Sequence, residues 1–328
     1  MSVPVEGMEL SSLVGERDAN LRMIENELDV VIVPRDDRLQ IYGETDQART
    51  AADLLGSCIQ AIRGGRIPSQ HDISCALRTT VDDCADASEA LLSEAVMVTH
   101  RGKPIRPKTP AQAHYVKALR EMDLTFCVGP AGTGKTFLAM AAAAAALKAG
   151  QVNRLVLSRP IVEAGESLGF LPGDMLDKVD PYLRPLYDAL HDIIGMDRTR
   201  RLTEHGTIEV VPLAYMRGRT INDAFMILDE AQNCSPAQMK MFLTRMGFGS
   251  RMAITGDITQ SDLPVGQASG LSHAIDVLDR VDGVRVSRLS RQDIVRHDLV
   301  QRIVLAYDAV EHRARADESD EDQDAQQA

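Results

Sequence analysis

One eight-residue stretch, Gly129-Pro130-Ala131-Gly132-Thr133-Gly134-Lys135-Thr136, constrains this chain more than any other. It fits the pattern G-x-x-x-x-G-K-[ST]. It follows a short apolar run, "LTFCV" (124–128), and opens an alanine-rich run that reaches Ala149. The first run suits a buried strand, and alanine is the best helix former. The glycines therefore stand where a strand becomes a helix. At such a turn, successive backbone N–H groups and the helix dipole favour a polyphosphate. The pattern predicts that residues 129–137, from Gly129 to Phe137, cradle the phosphates of ATP. Lys135 reaches the β- and γ-phosphates, and Thr136 offers its hydroxyl to Mg²⁺.

A second string fits the same chemistry. "AFMILDEAQNC" (224–234) is an apolar strand ending in two carboxylates. Asp229 is the candidate Mg²⁺ residue and Glu230 the candidate general base. An adjacent pair of this kind suits water as the acceptor, which favours hydrolysis over the phosphoryl transfer of a P-loop kinase. The next strand, "RMAIT", leads into "GDITQSDLP" (256–264). Gln260 is the candidate sensor of the γ-phosphate, with Asp257 supporting it; an Asp/Gly turn is the alternative. Upstream, Gln112 precedes the first core helix, and its amide can read both edges of adenine; a plain surface glutamine is the alternative there.

Composition bounds the rest. At 328 residues and 44% apolar, the chain has room for roughly two domains with a sizeable core. No stretch is long and apolar enough to span a membrane. The first residues carry neither a basic nor an apolar signal region. The cysteines at 58, 75, 84, 127 and 234 form no C-x-x-C pair, as in a reduced, cytoplasmic protein. The net charge of −12 argues against nonspecific avidity for nucleic acid, although part of it sits in "ADESDEDQDAQQA" at the end.

Four segments follow. Residues 1–65 read strand, helix, strand, strand, helix, a small α+β domain. Residues 66–107 read as a connector ending in a basic, Pro-rich linker. Residues 108–312 alternate strands with helices: "TFCV", "RLVLS", "IEVVPL", "AFMILD", "RMAIT" and "VRVSRL" are the strands. That alternation predicts an α/β fold with a parallel sheet covered on both faces. Residues 313–328 read as a disordered acidic tail.

Together, "RGKPIRPKT", "GPAGTGKT", "SRPIVEAGESLGFLPGD", "KVDPYLRPLYDAL", "PLAYMRGRTINDAFMILDEAQN", "MKMFLTRMGFGSRMAITGDITQSDLP" and "VRHDLV" resemble the PhoH family of P-loop ATPases. The resemblance implies a RecA-like core like one half of a superfamily 1 helicase, ATP hydrolysis with Mg²⁺, and a tie to RNA. It supports Gln260 and Gln112 in the roles above. It also implies that the segment after "RLVLS" meets single-stranded nucleic acid, with Arg159 as the phosphate contact; a local ion pair or helix cap is the other reading of Arg159. The first segment resembles a KH-type RNA-binding domain, as in the YbeZ-like branch of the family. Its G-x-x-G position keeps Gly15 but has Asp18 for the second glycine, with Glu16 between. Carboxylates there repel the phosphates that such a loop clamps.

Two functions of different class stand. One is an RNA-associated ATPase that remodels RNA or RNA–protein complexes. The other is an ATP-gated module that recruits a ribonuclease, by resemblance an endoribonuclease of the YbeY type, without unwinding. With no second helicase lobe in the chain, the arginine that neutralises transition-state charge is expected from a neighbouring subunit of a homo-oligomer such as a hexamer. Arg217 and Arg219, in the loop before the Asp229 strand, are the candidates, with Arg296 further on; ion-pair bracing of the loop is the alternative for the first two.

Overall fold

In the computed structural model, residues 1–5, 10–15, 18–35, 37–64, 67–68, 70–79, 94–161, 175–264 and 268–295 are described. The expected acidic tail, Arg296, and the "LGFLPGD" stretch lie outside them.

Alternating burial builds a small antiparallel sheet at the N-terminus. β1 (Ser2–Pro4) is followed by α1 (Leu10–Val14) and α2 (Ala19–Leu28), then by β2 (Val31–Arg35), β3 (Arg38–Tyr42) and α3 (Thr45–Arg63). β3 lies centrally, pairing with β1 through Val3↔Leu39 and with β2 through Ile32↔Ile41. Leu39 and Ile41 face a core with Ile24, Leu54, Leu55 and Cys58. Where the sequence predicts one helix between the first two strands, the structure has two, α1 and α2; the remaining order is as expected. The boundary differs. α4 (Gln70–Thr79) adds Ile73, Ala76 and Leu77 to the same core, so this packing unit runs past residue 65. Their i, i+3, i+4 spacing gives the helix one apolar face, which packs on α2.

The far end of the expected connector belongs to the other core. β4 (Met97–Val98) and β5 (Pro104–Ile105) form a short hairpin. Its Val96, Met97 and Ile105 pack with Tyr115, Val116 and Leu119 of α5 (Pro110–Glu121). Beyond it come β6 (Leu124–Val128), α6 (Lys135–Lys148), β7 (Arg154–Arg159), α7 (Met175–Ile194), α8 (Met196–Glu204), β8 (Ile208–Pro212), β9 (Ala224–Leu228), α9 (Pro236–Leu243), β10 (Arg251–Gly256), α10 (Gly270–Leu278) and β11 (Val284–Arg288). All six strands from β6 to β8 and β9 to β11 join one parallel sheet in the order β11-β6-β10-β9-β7-β8.

Every residue of β6 and β9 is buried, as in strands covered on both faces. The faces alternate with period two. Cys127, Leu157, Phe225, Ile227 and Ala253 meet α6 and α7. Phe126, Val156, Met226, Leu228 and Ile254 meet α9 and α10. This is the α/β P-loop NTPase-like fold expected from the sequence. Alanines 139, 141 and 143 of α6 are fully buried, and their small side chains let the helix lie close to the sheet.

The turn that leaves β6 is held on two sides. Gly129 N donates to Gly256 O at 3.2 Å and Leu289 N to Val128 O at 2.8 Å. A Cβ at Gly129 would run into the backbone carbonyl of Leu289. The start of α5 is fixed nearby. The Thr109 side chain caps the helix by accepting from Gln112 N at 3.2 Å, and its hydroxyl donates to the buried Asp293 carboxylate at 2.5 Å. Gly129→Ala is therefore expected to destabilise the fold by about 1–3 kcal/mol through overpacking against main chain. Urea unfolding measures this as a lower midpoint at unchanged slope; a shift under about 0.5 kcal/mol would show that the β11 exit yields freely.

Candidate nucleotide site

Gly134 is the N-cap of α6 and sits in the left-handed region, φ 80°, which glycine adopts without a Cβ penalty. The loop curls around Lys135, whose Nζ donates to the carbonyl oxygens of Gly129 at 2.6 Å and Pro130 at 2.8 Å. The Thr133 hydroxyl donates to Pro130 O at 2.9 Å. Burial pulls the Lys135 ammonium below the ordinary lysine range, and the carboxylates of Asp257, Glu230 and Asp229 act against that pull. Behind it, the fully buried Tyr115 hydroxyl donates to Lys135 O at 3.2 Å, and burial raises that phenol well above its usual range.

The carboxylates arrive from the next strands. Asp229 follows β9 and is buried. Its Oδ1 accepts from the Thr136 hydroxyl at 2.6 Å and the Thr255 hydroxyl at 2.8 Å. Thr255 lies on β10, the strand between β6 and β9, so one carboxylate oxygen joins the exits of three neighbouring strands. Glu230 takes a left-handed backbone, φ 53°, which turns the chain sharply after the strand. Its Oε1 accepts from Arg159 Nη2 at 3.0 Å and its Oε2 from Gln232 Nε2 at 2.6 Å. Gln232 Oε1 in turn accepts from Asp257 N at 3.0 Å. Asp257 Oδ1 receives the backbone N–H and hydroxyl of Thr259, while Oδ2 is buried and has no hydrogen-bond partner.

This donor set suits Mg²⁺. Among the described residues no three His, Cys, Asp or Glu side chains gather as a metal cage. Mg²⁺ needs none, because it is held by one or two carboxylates together with substrate phosphates and water. The Thr136 hydroxyl and Asp229 carboxylate are already in contact at the helix N-terminus. The orphaned Asp257 Oδ2 supplies further negative charge close enough to act on Lys135.

The remaining expected residues fall in different places. Within the loop Ala131 is exposed, Pro130 and Gly132 are half-buried, and Phe137 packs against the α6 side of the core. Gln112 is buried, with Oε1 accepting from Lys108 N at 2.6 Å and Nε2 donating to Thr133 O at 3.0 Å, so both edges of its amide face main chain. Gln260 is exposed at the rim, its N–H donating to Asp257 O at 3.2 Å. The glutamine buried against Glu230 is Gln232. Arg219 forms a two-pronged ion pair with Glu209 on β8, both contacts at 2.6 Å, while Arg217 is exposed in the same loop. Arg159 reaches Glu230. Gln232 and Thr255 are what the sequence reading missed; the Arg159 contact is its ion-pair alternative, with Glu230 as a partner that spacing did not name. The clue to Gln232 was its place in "DEAQN", two residues past Glu230.

The PhoH-like protein family matches residues 104–308 of the chain. The PhoH-like protein of Bacillus subtilis (strain 168) is 51% identical over 300 residues, covering 92% of this chain and 94% of that protein. The PhoH-like protein of Synechocystis sp. is 46% identical over 92% of each chain. Protein PhoH of Escherichia coli (strain K12) is 47% identical over 62% of this chain and 58% of its own length. Among solved structures, the Sulfolobus solfataricus SWI2/SNF2 ATPase core in complex with dsDNA overlaps 55% of this chain and 42% of that one, at 13% identity and a TM-score of 0.34, and nothing further rests on it. The family match over the sheet-bearing region and the relatives aligned along most of its length show that the chain belongs to the PhoH-like protein family.

Proposed function

We propose that the chain is a Mg²⁺-dependent ATPase that works in contact with RNA. The observation that carries the ATPase reading is the convergence of Lys135, Thr136, Asp229 and Glu230 at the carboxyl ends of β6 and β9, which flank β10 in the parallel sheet, where ligands of such sheets bind. Family and fold support nucleotide hydrolysis in general. In this reading the N–H groups opening α6 receive the β- and γ-phosphates, and Lys135 exchanges its contacts to Gly129 and Pro130 for phosphate oxygens. Thr136 and Asp229 would hold Mg²⁺, which would supply positive charge to the phosphates. Glu230 takes a proton from water as the water oxygen bonds to the γ-phosphorus and the bond to the β-phosphate oxygen breaks.

The RNA part of this reading rests on the resemblance of the first segment to a KH domain, with Asp18 weakening the phosphate clamp at its loop. Asp18 adopts φ 59° and ψ 24°, the left-handed conformation that suits glycine, at the second glycine position of the G-x-x-G pattern. The stretch joins α1 to α2 and keeps Gly15 at φ 74°. The two positions that bound the G-x-x-G pattern thus share a glycine-like backbone conformation, with a carboxylate at the second.

Two outcomes follow. Lys135→Ala is expected to lose tight ATP binding, whereas Glu230→Gln keeps binding and loses about 10²–10⁴-fold in kcat; calorimetric titration and a phosphate-release assay separate them. Near-normal affinity in the first variant, or turnover within about threefold of wild type in the second, contradicts these roles. Separately, single-stranded RNA added to the full chain is expected to raise kcat for ATP. An unchanged rate at low and at physiological salt would favour the reading in which ATP gates contact with a protein such as a ribonuclease.

A further inference from the structure

Glu230 is held from both sides by its own chain. Gln232 occupies Oε2 from the β10 side, and the Arg159 guanidinium occupies Oε1 from the β7 side. Arg159 is the last residue of β7, and β7 is the direct neighbour of β9 in the sheet. That register brings the two side chains together although they stand 71 residues apart in sequence. The same guanidinium does a second thing: its Nη1 donates to the main-chain carbonyl of Tyr182 at 3.0 Å. Tyr182 lies in α7, between Pro181 and Pro185. A proline has no N–H to return to the helix, so Pro185 leaves the carbonyl of Pro181 without its helical donor although the helix runs on. The Tyr182 carbonyl that Arg159 meets is next to that gap.

With Oε1 on Arg159 and Oε2 on Gln232, both oxygens of the carboxylate are engaged by the chain itself, and the side chain is held where those two contacts place it. We propose that Arg159 is a positioning residue that holds Glu230 in a resting pose and links the release of that base to α7. This rests on the reading of Glu230 as the base. The planar fork suits this double role, since one arm reads the base, the other reads main chain of a neighbouring helix, and a shift of α7 is passed directly to Glu230. With side-chain exposures of 20% for Arg159 and 37% for Glu230, the pair is partly open to water, so the hold is modest and reversible.

The test is steady-state hydrolysis of Mg²⁺-ATP by the full chain in four forms: wild type, Arg159→Ala, Glu230→Gln and the double variant, with Arg159→Lys alongside. Arg159→Ala is expected to raise kcat about three- to tenfold with KM for ATP unchanged. Arg159→Lys, which keeps one charged donor, is expected to stay near wild type. In the Glu230→Gln background, Arg159→Ala is expected to change nothing further. A kcat for Arg159→Ala at or below that of wild type, with KM unchanged and Glu230→Gln still impaired, overturns the proposal and leaves the base assignment standing. A rise that persists in the Glu230→Gln background also overturns it, because Arg159 would then act elsewhere. If Glu230→Gln alone keeps wild-type turnover, the base assignment itself has failed and the proposal falls with it. Should Arg159→Ala fail to fold, Arg159→Gln carries the same comparison: a kcat raised above wild type supports the hold, and one at or below wild type overturns it.

Discussion

Asp229 Oδ1 accepts the hydroxyls of Thr136 and Thr255, and the rest of the site depends on that contact. A parallel sheet sends every strand's carboxyl end to the same edge. Here β10 lies between β6 and β9, so the helix that leaves β6 and the carboxylate that ends β9 are one strand apart. Thr255 on the intervening strand fills the gap from below. The cost of burying the carboxylate is offset by two hydroxyl donors, and its position is set by the ladder hydrogen bonds of three strands. Remove the intervening strand from the order, and Thr136 and Asp229 no longer share this geometry.

The polar groups around this contact are satisfied from within the chain. Lys135 bonds the carbonyls of its own loop, and Glu230 is shared by Arg159 and Gln232. An amine in a buried position between a helix N-terminus and three carboxylates needs a partner, and the loop carbonyls supply one. Phosphate oxygens offer the same lysine charged acceptors, which make stronger hydrogen bonds than neutral carbonyls. Asp257 Oδ2 is the exception, buried and unpartnered, and it marks the side of the site with most to gain from a cation.

Much of this was legible in the sequence because the parts are local. The P-loop and the Asp229-Glu230 pair each occupy one short string at the end of an apolar strand, and strand, turn and helix signals agree there. The six strands were legible for the same reason. What was not legible is long-range. Arg159 meets Glu230 only because β7 pairs with β9, and Thr255 meets Asp229 only because β10 is inserted between β6 and β9. Neither neighbour relation is written in spacing. Gln112 is placed before a helix by its sequence, and the Lys108 N–H and the loop carbonyl of Thr133 draw the two ends of its amide inward. Arg219 lies in the loop before the Asp229 strand, and Glu209 on β8, ten residues upstream, holds it with both prongs, the ion-pair alternative. The boundaries moved because α4 and the β4–β5 hairpin are short, and each has just enough apolar surface to join an existing core.

The central claim is that Thr136 and Asp229 hold a magnesium ion with the phosphates of ATP. Phosphate release from ATP by the full chain, measured with Mg²⁺ present and again after chelation with EDTA, tests it most directly. The account predicts hydrolysis with Mg²⁺, its loss on chelation and its return when Mg²⁺ is restored. Hydrolysis at an equal rate in EDTA, or none with Mg²⁺ present, would contradict it.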